Sequence, residues 1–166
     1  MDSFDAFEVL TRHGVRFVII GGIAGRLLGS PTVTDDIDIC YARDARNLEA
    51  LAEALRELGA ELRGPNIPDD LPFLLDAKTL EMGDHFTFRT RAGPLDCLGI
   101  PSGTTGFDDL ARDAVEMDLD GLIVRVASID DLIRMKRAAG REKDLIEVQV
   151  LGAVRREIEA EDEDAR

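Results

Sequence analysis

The sequence predicts an α/β protein of the α+β kind, a mixed β-sheet flanked by helices and closed by a helical C-terminus. Three observations carry this prediction. Short apolar runs bounded by Gly, Pro and Asp recur along the chain, among them Phe17-Val18-Ile19-Ile20 and Ile37-Asp38-Ile39-Cys40-Tyr41, with the length and branching of strands. Between them lie segments with apolar groups at helical spacing, clearest from Asp44 to Leu58, where Leu48, Leu51, Ala52, Leu55 and Leu58 share one side. Hairpin signals then supply antiparallel pairs, and beyond Ser128 the pattern is helical throughout.

In chain order, Phe4 to Arg12 reads as a helix that His13-Gly14 closes with a left-handed glycine, His13 acting as a cap that compensates the helix dipole. A strand from Arg16 to Ile20 ends in Gly21-Gly22, and a short helix over Ile23 to Leu28 stops at Gly29-Ser30-Pro31. A second strand covers Asp36 to Tyr41, and the amphipathic helix from Asp44 is ended by Gly59. From Gly64 to Asp84 three prolines and Gly83 mark an irregular stretch, either a lid or a surface insertion. His85 to Arg91 and Leu95 to Leu98 form a hairpin about Gly93-Pro94, and His85 reads as an ordinary surface residue. A helix from Phe107 to Arg112 precedes a second hairpin, Ala114 to Leu119 and Leu122 to Val126, turned by Asp120-Gly121. Ser128 caps a helix that stops near Gly140, and a last helix begins at about Arg141.

The 166 residues, 45% hydrophobic and 33% charged, suffice for one compact core with an appendage. The expected division is 1–126 as the core, 127–160 as helices packed on it and 161–166 as an acidic, solvated tail. A net charge of −14 opposes indiscriminate binding to nucleic acid or anionic lipid. No stretch approaches the roughly 18 apolar residues of a membrane span, and the acidic start lacks a signal peptide's basic region, so a cytoplasmic protein without membrane contact is expected. Cys40 and Cys97 match no zinc spacing and read as buried, reduced thiols.

The chemistry concentrates in Thr34-Asp35-Asp36-Ile37-Asp38-Ile39. With a side-chain period of two, Asp36 and Asp38 face one way while Ile37 and Ile39 face the core, and Asp35 has the wrong parity. Adjacent carboxylates repel, and a divalent cation relieves the repulsion. Asp96, with Leu95 and Cys97 on its opposite face, joins the pair if its strand lies beside theirs. Three carboxylates completed by triphosphate oxygens suit two magnesium ions, Asp36 and Asp38 bridging both and Asp96 serving the ion nearer the nucleophile. Gly21-Gly22 lets backbone amides approach a phosphate. Thr34 either orients Asp36 or shapes the turn.

A glycine pair, a gap, Asp36-Ile37-Asp38 and a lone strand acid at Asp96 resemble the DNA polymerase beta-like nucleotidyltransferase superfamily, especially its small bacterial members. The resemblance covers roughly Val15 to Val126 and implies a nucleotidyltransferase fold. It implies magnesium-dependent transfer of a nucleoside monophosphate from a triphosphate such as ATP to a hydroxyl of a protein, an RNA end or a small metabolite. Lys136, Arg141 and Lys143 would then reach the triphosphate or acceptor. Two positions depart from the family pattern: Gly22 replaces a serine common after the first glycine, and no arginine stands near Thr32. Small members often belong to toxin-antitoxin modules, which implies a partner protein and gives a second hypothesis, an interaction protein with little or no turnover. An aspartate-nucleophile phosphatase ranks last, because Pro31-Thr32-Val33-Thr34-Asp35 interrupts the strand such an enzyme runs into its first acid.

Overall fold

A computed structural model describes residues 1–68 and 72–166. The elements are α1 (Ser3–Arg12), β1 (Phe17–Ile20), α2 (Gly21–Leu27), β2 (Ile37–Tyr41), α3 (Ala45–Glu57), β3 (Glu61–Leu62), α4 (Ala77–Glu81), β4 (His85–Thr90), β5 (Gly93–Leu98), α5 (Phe107–Asp113), β6 (Val115–Leu119), β7 (Leu122–Val126), α6 (Ile129–Ala139) and α7 (Glu142–Asp164). The strands of the described residues form one mixed sheet in the order β3-β4-β5-β2-β1-β7-β6. β2 pairs antiparallel with β1 and parallel with β5, and β1 pairs parallel with β7. This is the sheet flanked by helices, with a helical C-terminus, that the sequence predicts.

Local chemistry sets the boundaries. Asp2, Asp44 and Ser128 cap α1, α3 and α6 through their side chains, accepting from the orphan amides of the first turn. Gly14 and Gly140 adopt positive φ after α1 and α6, as expected of glycine stops. Asp120 and Gly121 both have positive φ, so the β6–β7 hairpin turns as its sequence predicts.

Two segments differ from the sequence reading. The β4–β5 turn falls on Arg91-Ala92, because Thr90 pairs with Gly93 and Arg89 with Pro94. Pro94 is tolerated in β5 because pairing with β2 begins only at Leu95, so its missing N–H interrupts no ladder there. The stretch read as irregular from Gly64 contains α4, whose cap Asp76 accepts from Thr79 N at 2.8 Å. Residues 69–71 of that stretch lie outside the described residues. Beyond them the Phe73 ring packs at 6.1 Å from both Phe86, tilted, and Phe88, edge-on. Those rings lie on the sheet face opposite Asp96, since Phe86 pairs with Cys97 and Phe88 with Leu95.

The core fills both sides of the central strands. All four residues of β1 are buried, and Ile37, Ile39, Leu95 and Cys97 are fully so. Leu132, Ile133 and Met135 of α6 and Leu151 of α7 belong to the same apolar cluster, so the C-terminal helices share the core of the sheet. Cys40 and Cys97 are free and buried, as expected. The acidic C-terminal run continues α7 as an exposed helix to Asp164. Among the described residues no helix is long and apolar enough to cross a membrane.

Candidate active site

The register of the sheet centre decides where the acids go. β2 and β5 run parallel with Asp38 directly opposite Asp96, while Ile37 lies opposite Leu95 and Ile39 opposite Cys97. Apolar side chains therefore fill one face, and both carboxylates emerge side by side on the other. Both are half-buried. Asp36 stands one residue before β2, exposed, with the parity of Asp38. Asp35 is exposed on the other parity, and His85 is exposed at the start of β4.

Burial raises the Asp38 carboxyl to about 7, helped by the charges of Asp96 and then Asp36 and opposed by Lys136. The Oδ1 of Asp96 is buried with no hydrogen-bond partner. One oxygen of the pair thus lacks the donor that would ordinarily satisfy it, and the two carboxylates repel, a costly arrangement in a folded chain without a cation.

The glycines are required by what they touch. Gly21 has φ +70°, and a Cβ there would collide with the carboxylate of Asp38. A Cβ on Gly22 would lie 2.6 Å from Thr34 Cγ2. Thr34 does both things the sequence left open: its methyl packs on Gly22, and its Oγ1 accepts from Asp36 N at 3.1 Å. The loop carrying it is tethered to α7, where Thr32 Oγ1 donates to Glu147 at 3.0 Å.

Lys136 comes from α6 and faces the acids closely enough to oppose the upward shift of Asp38. Its Nζ donates to Asp144 Oδ1 at 3.4 Å, and Arg141 donates to Asp144 Oδ2 through Nε at 2.6 Å. Asp144 is fully buried, and these cations, Arg141 first, hold its carboxyl below the usual range. Asp144 is a site-linked residue that the sequence did not single out. Its signal in the sequence is helical spacing, since Asp144, Val148, Leu151 and, beyond them, Val154 trace the inward side of α7. Arg141 is thereby tied down. Lys143 is exposed. Arg134 is paired with Asp109 and Asp131.

Among the described residues no three His, Cys, Asp or Glu side chains close into a ready metal cage. The expected convergence is therefore partial: Asp38 and Asp96 are adjacent, and Asp36 acts on Asp38 through its charge from an exposed position. The donor set nevertheless fits a hard divalent cation, because it consists of carboxylate oxygens, one of them buried and unpartnered.

The same arrangement of sheet and helices occurs in solved nucleotidyltransferases. The lincomycin-bound lincosamide antibiotic adenylyltransferase LnuA superposes with a TM-score of 0.60 at 15% identity, over 91% of this chain and 94% of that one. The chain has a nucleotidyltransferase fold. ANT(2'')-Ia in complex with adenylyl-2''-tobramycin matches with a TM-score of 0.53 at 17% identity, covering 89% of this chain and 84% of the other. An antigenic nucleotidyltransferase-like protein from Paracoccidioides brasiliensis matches at 0.51 and 17% identity, covering 91% and 77%. No protein-family model and no curated protein sequence matches the chain.

Proposed function

We propose that this protein is a nucleotidyltransferase that moves a nucleoside monophosphate from a nucleoside triphosphate, with ATP the first donor to test, onto a hydroxyl. The observation that supports it most is the opposition of Asp38 and Asp96 in adjacent parallel strands, with Asp38 against Gly21 and Asp96 Oδ1 buried without a donor. Asp36, Asp38 and Asp96 would hold magnesium, two ions when substrate oxygens complete the shell. Bound there, magnesium supplies charge neutralisation at the triphosphate and lowers the barrier to attack by the hydroxyl oxygen.

The chain's own residues do the rest. Gly21 and Gly22, at the start of α2 and without side chains of their own, offer backbone amides to phosphate oxygens. Lys136, held by Asp144, places a positive charge beside the acids and the incoming phosphates. Thr34 fixes the backbone of Asp36. The acceptor oxygen forms its bond to the α-phosphorus, the bond to the β-phosphate oxygen breaks, pyrophosphate leaves, and the hydroxyl proton passes to Asp96 or solvent.

The acceptor is a hydroxyl on a protein, an RNA end or a small metabolite. LnuA and ANT(2'')-Ia take antibiotics, which makes a small molecule the first class to test. The deciding experiment incubates the protein with α-phosphate-labelled triphosphates, magnesium and cell extract. Label transferred to an acceptor, with pyrophosphate released, supports the reading. A wild-type protein that transfers nothing and binds no triphosphate overturns it, and tight capture of a partner without nucleotide would then favour the interaction role in a toxin-antitoxin-type module.

A further inference from the structure

Arg26 differs from Lys136, Arg141 and Arg134 in what holds it. Lys136 and Arg141 share Asp144, and Arg134 is divided between Asp109 and Asp131. Arg26, exposed on α2, instead donates from Nη1 to the carbonyl oxygen of Thr34 at 3.4 Å, and among the described residues no carboxylate pairs with it. A carbonyl fixes the guanidinium without neutralising it. Arg26 therefore keeps its full positive charge beside the loop that carries Thr34 and Asp36.

That place is the rim of the acid site. Thr34, which Arg26 grips, packs on Gly22 and accepts from Asp36 N, so Arg26, Gly22, Thr34 and Asp36 form one continuous lip. On the nucleotidyltransferase reading the reacting phosphorus belongs beside the half-buried Asp38 and Asp96, whereas Arg26 is exposed on the neighbouring helix.

We propose that Arg26 is the contact for the terminal phosphates of the nucleoside triphosphate, the part that leaves as pyrophosphate. The inference rests on the nucleotidyltransferase reading above and adds a residue to it. The planar guanidinium retains Nε and Nη2 as donors, a fork matched to two phosphate oxygens, and its charge offsets the negative charge that builds on departing pyrophosphate. Arg26 also supplies, from a helix, a cation that the loop at Thr32 lacks.

The test is calorimetric titration of ATP with magnesium into wild type, Arg26→Ala and Arg26→Lys, with a Tm measured for each. Arg26→Ala is expected to weaken binding roughly 10- to 100-fold at unchanged Tm, because an exposed side chain is lost along with a charge-assisted hydrogen bond. Arg26→Lys, which keeps the charge and loses the fork, recovers part of the affinity. Unchanged affinity in Arg26→Ala, or a loss accompanied by a lower Tm in both variants, overturns the role of Arg26 and leaves the nucleotidyltransferase reading intact. Absence of ATP binding by the wild type overturns both.

Discussion

Asp144 and Asp38 are the same residue type, both withdrawn from water, and the protein treats them in opposite ways. Asp144 is fully buried, accepts from Arg141 and Lys136, and has its carboxyl held below the usual range. Asp38 sits beside a second carboxylate, with its own carboxyl raised to about 7. One acid is completed by the fold. The other is left incomplete, and Lys136 stands between the two as the link. On the proposed reading, the free energy spent at Asp38 and Asp96 serves an external cation, whereas the same chain elsewhere pairs a buried carboxylate fully.

The contrast is broken most strongly through activity. Asp38→Asn and Asp96→Asn should each lower transfer on the order of 10^3-fold, the scale seen when one preorganised electrostatic contact to a transition state is removed. Quantifying labelled product per enzyme checks this. Far-UV circular dichroism should show both variants folded, and comparable activity in either would remove the mechanism.

Asp144→Asn should act chiefly on stability, at a cost of about 1–3 kcal/mol, because it removes the charge that Arg141 and Lys136 hydrogen-bond. Urea unfolding measures it. A cost near zero would mean that the two acids are not differently treated after all.

pH sharpens the comparison because the two shifts have opposite sign. With its folded value raised above the unfolded one, Asp38 lowers the stability of metal-free protein progressively between about pH 4 and pH 7, by an amount on the order of 2–4 kcal/mol. Asp144, with its value lowered, contributes stability that is complete above the unfolded value and is lost as pH falls through its folded one. Unfolding curves in chelator should therefore show Asp38→Asn gaining on wild type from pH 4 to pH 8. A constant difference across that range would contradict the electrostatic account of Asp38.

A smaller effect is ligand stabilisation. Magnesium with ATP at about 100-fold above its Kd should raise the wild-type Tm by roughly 5–10 °C. Asp38→Asn should show little of that rise in the same scan.

Much of this contrast was legible in the sequence on one side only. The spacing of Asp36, Ile37 and Asp38 fixes parity, and the lone acid between Leu95 and Cys97 predicts a neighbour that the β2–β5 register supplies. Asp144 was not legible, because Arg141-Glu142-Lys143-Asp144 looks like a solvated charge run and only packing against α6 shows which side of α7 is buried. Arg26 escaped for a related reason: its partner is a backbone carbonyl eight residues away, which leaves no trace in side-chain pattern. The turn at Arg91-Ala92 displaced the expected Gly93-Pro94 turn because strand pairing with β4 extends through proline.

The most direct test is to titrate manganese, as a spectroscopic stand-in for magnesium, into wild type, Asp38→Asn and Arg26→Ala with ATP present, following free ion by electron paramagnetic resonance. The account predicts a saturable site in wild type, retained in Arg26→Ala at nucleotide saturation and lost in Asp38→Asn. Manganese binding that is absent in wild type, or identical in Asp38→Asn, would contradict it.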